Sequence, residues 1–158
     1  MALNERYHNP LLGRDFISVT VTPLTVDADG DPTAGTTVNC SGQVQRLANG
    51  LTTTHENITS INSPLANPVP VEDSGAWTLE IYKVNDGTSP SKLREIFLSH
   101  KYFLLVWIEG TGGSAMRHTA YVTRGANSGD YQGKGQQNES QEFLLADFGP
   151  NSYTVEPV

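Results

Sequence analysis

The chain has 158 residues, 37% of them hydrophobic and 8% aromatic, and carries a formal net charge of -7 with a pI near 4.9. That is enough length for one domain with a proper core. The acidic balance argues against a surface that grips nucleic-acid phosphates, which needs clustered Lys and Arg.

The single Cys40 excludes an intrachain disulfide framework and a cysteine zinc cluster. The opening residues hold no apolar core of signal-peptide length, and no run is long enough to span a membrane. Synthesis in the cytoplasm, or in a particle assembled there, is the expectation.

Residues 1–14, with Asn9-Pro10 and Gly13, read as an N-terminal arm. Phe16 to Thr22 alternates, with Ile17, Val19 and Val21 on one face and Ser18, Thr20 and Thr22 on the other, as in a half-buried strand. Asp27 to Gly35 is a turn cluster. Val38 to Leu47 alternates again, placing Val38, Cys40 and Val44 inward against Asn39, Ser41, Gln43 and Gln45. Asn49-Gly50 signals a hairpin turn, and Leu51 to Ile61 reads as a polar return strand.

The stretch 62–75 contains Pro64, Pro68 and Pro70 and reads as a long loop or edge excursion, because proline cannot donate to a ladder. Trp77 to Val84 is a strand with Trp77, Leu79 and Ile81 inward. Ser89 can cap a helix over about 90–100, with Pro90 at its first position and Leu93, Ile96 and Phe97 on one stripe. Tyr102 to Ile108 is a nearly unbroken apolar run, as in a buried strand. Ala115 to Arg124 alternates, 125–138 is a glycine-rich polar loop, Glu139 to Ala146 is a strand, and 150–158 is a tail able to add an edge strand. Strands flank one helix without βα alternation. The expectation is a single, mainly β domain over 1–158, an antiparallel sandwich or partly closed barrel with one flanking helix.

No constellation carries catalysis. Asp27, Asp29 and Asp31 resemble the start of a calcium loop, but Pro32 and Val38 stand where glycine and glutamate are required. Gly129 to Gly135 is one residue short of a phosphate loop and lacks its Ser or Thr. His8, His55, His100 and His118 are scattered, and His55-Glu56 has no second histidine at zinc-binding spacing. The expectation is no enzyme, no cofactor and no metal.

The order of elements carries more information. A polar-faced hairpin and a Pro-rich stretch precede a Trp strand, the helix SPSKLREIF and an apolar strand; HTAYVTRGANSG and NESQEFLLADFG follow. Over Val38 to Gly149 this resembles the tail-tube proteins of bacteriophages and the tube-forming proteins of contractile injection systems. The resemblance implies a β-sandwich or barrel with a flanking helix, assembling into hexameric rings stacked as a hollow tube. DNA would pass through the lumen without specific binding. It also implies partners among the other tail proteins (terminator, baseplate or tip, and sheath if the tail is contractile), no membrane, and a place in the virion tail after assembly in the host cytoplasm.

On that reading the candidate lumen face is Asn39, Ser41, Gln43 and Gln45 with Thr53, His55, Asn57 and Thr59. Arg46 and Arg117 lie near these polar faces and depart from an idealised lumen. The candidate ring-stacking loop offers Pro64, Leu65, Asn67, Pro68, Pro70 and Glu72. Two other classes fit the same composition: a capsid decoration or head–tail completion protein, and a carbohydrate-binding sandwich stacking sugars on Trp77, Trp107 and Tyr121.

Overall fold

The computed structural model describes residues 16–60, 63–82, 92–130, 133–135 and 137–158. The expected N-terminal arm and the helix-capping Ser89-Pro90 lie outside them. The strands are β1 (Phe16–Val26), β2 (Pro32–Ala34), β3 (Val38–Asn39), β4 (Val44–Ser60), β5 (Ser63–Tyr82), β6 (Tyr102–Glu109), β7 (Met116–Asp130), β8 (Asn138–Leu145) and β9 (Tyr153–Pro157). Helix α1 spans Lys92–Ser99. All pairings are antiparallel and form one sheet in the order β2-β1-β6-β7-β8-β5-β4, with β3 on β1 and β9 on β7. The sheet does not close.

The sheet curls to bury one face. Alternate residues of its central strands supply that face: Val19 and Val21, Trp77, Leu79 and Ile81, Phe103, Leu105 and Trp107, Ala120 and Val122, and Phe143. Trp77 on β5 lies 6.1 Å from Trp107 on β6 and 5.7 Å from Tyr153 on β9, although β7 and β8 separate β5 from β6 in the sheet. Helix α1 seals the open side. Leu93 and Phe97, one turn apart, are buried, and Phe97 sits edge-on to Phe103 (5.9 Å) and Phe143 (5.6 Å). Arg124 Nη1 donates to the carbonyls of Phe97 (3.3 Å) and Leu98 (2.8 Å), satisfying helix-end acceptors.

The strand expected over Val38 to Leu47 is interrupted. β3 ends at Asn39, residues 41–43 turn with Gln43 N–H on Cys40 O (2.9 Å), and β4 begins at Val44. The hairpin turn expected at Asn49-Gly50 does not form. β4 runs straight through it, with Asn49 opposite Trp77 and Gly50 opposite Ala76. Gly50 is not among the glycines with positive φ, the conformation a type I′ turn requires. Val44 and Leu47 pack against the core, and reversing the chain at 49 would pull them off it.

Of the stretch expected to loop out, residues 63–75 are strand: β5 starts at Ser63 and pairs with β4 down to Ile81. A bulge reconciles this with its prolines. Tyr82 donates its N–H toward the β4 side, to Gln43 O, so alternate residues back to Glu72 do the same. Thr54 then faces Glu72 but His55 faces Pro70, leaving Val71 extra and inverting the alternation. Pro68 and Pro70 therefore turn their nitrogens to the free edge, where no ladder bond is lost. A similar shift in β7 between Arg124 and Asn127 carries that strand through the glycine-rich segment to Asp130, paired with β8. The segment 150–158 adds β9 along Met116–Ala120.

Candidate assembly surfaces

The β4–β5 hairpin changes character along its length. Near its base β5 also pairs with β8 from Ala76 to Tyr82, and Trp77, Leu79 and Ile81 are buried. Beyond Gly75 the ribbon leaves the body: Leu51 to Thr59 are all exposed, as are Val71 to Ser74. Its apolar side chains face solvent, with Leu51 51%, Ile58 56%, Leu65 76% and Val71 57% exposed. A two-stranded ribbon in water is marginal on its own. Cross-strand bonds brace this one: Thr53 Oγ1 donates to Asp73 Oδ1 (2.7 Å), Thr54 Oγ1 to Glu72 O (3.2 Å) and Ser74 Oγ to Thr52 O (3.4 Å).

The stacking candidates and half of the lumen candidates meet on this arm. Thr53, His55, Asn57 and Thr59 occupy alternate positions of β4, all exposed. Leu65, Asn67, Pro68, Pro70 and Glu72 lie on the paired strand, which also holds Pro64. The pairs Thr54–Glu72, His55–Pro70, Asn57–Pro68 and Ile58–Asn67 join the two strands. The other four lumen candidates sit apart, at the start of β4. Asn39 faces outward beside Thr20 and accepts from Ser41 Oγ (2.6 Å). Ser41 and Gln43 are in the 41–43 turn, and exposed Gln45 donates to Asn138 Oδ1 (3.2 Å).

Beside the base of the arm a cleft of about 910 Å³ separates it from the segment 144–153. Leu51, Gly75, Leu144 and Tyr153 line it, and Glu72, Asp73 and Asp147 supply its charged groups. The floor is low because of Gly75. A Cβ there would lie 2.8 Å from Trp77 Cη2 and 2.9 Å from Leu51 Cδ2.

Three polar clusters elsewhere are structural. His118 lies flat on Trp107 (4.8 Å, 5°), donates from Nε2 to Glu109 Oε1 (2.7 Å), and shares a 2.9 Å bond between Nδ1 and the Tyr153 hydroxyl. The order carboxylate–imidazole–hydroxyl imitates a catalytic relay. Here the Tyr153 hydroxyl, whose pKa is raised by burial first and then by Glu109, clasps β9 to β7 through His118. In the second cluster Asn127 Nδ2 bridges Glu139 Oε1 and Gln141 Oε1, both at 2.8 Å. Fully buried Gln141 donates from Nε2 to the carbonyls of Gly125 and Ala126 (both 3.4 Å), fastening the bulged part of β7. In the third, Asp27 Oδ1 accepts the N–H groups of Asp29 (3.0 Å) and Asp31 (2.8 Å), a self-capped turn. Among the described residues no group of three His, Cys, Asp or Glu is placed to hold a metal ion. No local motif announced Arg124, Asn127 or Tyr153, whose partners lie far away in sequence.

Trp77 is fully buried and Trp107 is 4% exposed, so neither offers a face to a sugar.

No family model matches the chain, and no curated protein sequence matches it. Solved structures do. The chain superposes on a protein from the tail of an empty gene transfer agent particle with C6 symmetry at a TM-score of 0.61 and 12% identity, covering 94% of this chain and 99% of that one. It matches the SPP1 tail tube at 0.57 and 10%, covering 94% and 80%. It matches a chain of the anti-feeding prophage baseplate at 0.52 and 11%, covering 94% and 96%. The fold is the tail-tube fold.

Proposed function

We propose that this protein is a structural component of a virion tail, assembling into stacked rings, hexameric in the simplest case, that form a hollow tube for DNA delivery. The observation that carries the reading is the exposed β4–β5 arm, projecting apolar side chains from a body whose fold is shared with tail proteins. A monomer has no use for such a ribbon. A neighbouring subunit can bury it.

In the tube, ring members join laterally along sheet edges, which removes the free edges at β4 and β2. The arm, with Leu65, Asn67, Pro68, Pro70 and Glu72, makes the contact between rings. The lumen is lined by the polar positions of β4 (Gln45, Thr53, His55, Asn57 and Thr59) and by Asn39, Ser41 and Gln43 beside its start. None of these is Lys or Arg, so DNA slides past without a phosphate grip. Terminator and baseplate or tip proteins cap the tube, a sheath surrounds it if the tail is contractile, and assembly takes place in the host cytoplasm. The protein acts without catalysis.

Electron microscopy of the concentrated pure protein tests this, with rings or tubes as the expected image. A protein that stays strictly monomeric at high concentration sinks the reading.

A further inference from the structure

We infer that the cleft at the base of the arm accepts the arm tip of a second copy. This rests on the tube reading above and names the surface that the arm meets.

The cleft mixes apolar and polar surface, and its charged groups are all acidic. Leu51, Val71 and Leu144 are 51%, 57% and 44% exposed, and neither Lys nor Arg lines the cleft beside Glu72, Asp73 and Asp147. An acidic segment is repelled there, and most of a chain with net charge -7 is acidic or close to an acid. The arm tip is charge-free and, unlike the charge-free run 32–45, it also exposes large hydrophobics. Ile58 to Pro70 contains no Asp, Glu, Lys, Arg or His. It presents Ile58 and Leu65, 56% and 76% exposed, and it carries Asn67, whose amide donates to carboxylates. Apolar groups thus meet apolar groups, and an amide donor meets carboxylate acceptors.

The tip cannot serve its own cleft. An extended strand rises about 3.3 Å per residue, so Thr59 stands roughly 25 Å along the arm from Leu51. The contact is therefore between copies. Tip and cleft are different surfaces, so each copy donates one and accepts through the other, and the contact propagates along the arm direction.

Disulfide trapping in the full chain tests the pairing. One preparation carries Leu65→Cys and a second carries Leu144→Cys; native Cys40 is 1% exposed and stays silent. Mixed under mild oxidation, the two should cross-link about tenfold more than Leu65→Cys does with a control, Leu98→Cys on α1, because docked thiols meet at raised effective concentration. Ile58→Cys with Leu144→Cys covers the opposite seating of the tip. If tubes form but neither pair exceeds the control, the cleft assignment is overturned while the tube reading stands. If there are neither tubes nor cross-links, both are overturned. Cross-links without tubes support the tip–cleft contact and count against the tube.

Discussion

Cys40 and Gly75 show how much single positions decide in this fold. Burial pushes the Cys40 thiol from 9.0 up to about 12, and its Sγ–H points at Val19 O (3.3 Å). A group whose folded pKa is raised contributes its full stabilisation below the unfolded value and loses it as pH climbs toward the folded one. Stability should therefore fall between about pH 9 and 12 by up to roughly 4 kcal/mol from this thiol, since each pKa unit is worth about 1.4 kcal/mol. Urea titrations across that window should show a shallower fall in Cys40→Ala. Gly75→Ala places a methyl group inside the contact distance of the Trp77 ring, and overpacking of this kind costs about 1–3 kcal/mol. The expected outcome is a lower urea midpoint together with a shifted tryptophan emission. Neither effect is legible in sequence, where Gly75 is only a residue after three prolines.

Elements were legible where one local pattern sufficed. The stripe Leu93, Ile96, Phe97 predicts a helix over 90–100, and Lys92–Ser99 is helical, with Leu93 and Phe97 in the core. Trp77, Leu79 and Ile81 face inward as their alternation implies. The arm was illegible because its register depends on Val71, an ordinary residue whose bulge sends Pro68 and Pro70 to the free edge. Those prolines also make that edge a poor template for stray strand pairing. Replacing both with Val should speed aggregation of the isolated protein, measured by light scattering. Phe97→Ala, which removes the ring between Phe103 and Phe143, should destabilise by about 3–5 kcal/mol. Shortening both strands of the arm together, by removing 55–70 and closing with Asn-Gly, should behave oppositely. The described side chains of this stretch bury little, so the urea midpoint should change little while stacking is lost in micrographs.

At the scale of the whole molecule, copies of net charge -7 repel one another, yet the surfaces proposed to join them are largely uncharged. Salt should therefore promote assembly. Raising ionic strength from about 0.05 to about 0.5 M shortens the screening length severalfold and should accelerate tube growth, followed by turbidity. Slower growth in high salt would mean that opposite charges carry the contacts.

The cleft is built from two distant parts of the chain, one wall from 51–75 and the other from 144–153. On the ribosome the arm emerges early, and synthesis at about 5–20 residues per second leaves it waiting several seconds for the opposite wall. The sheet waits as well, because β5 needs β8 and β1 needs β6. A nascent chain thus owns a tip before it owns a receptor. On the proposed tube reading, growth would then proceed only through finished subunits, and the order of translation itself would keep polyribosomes from becoming nuclei.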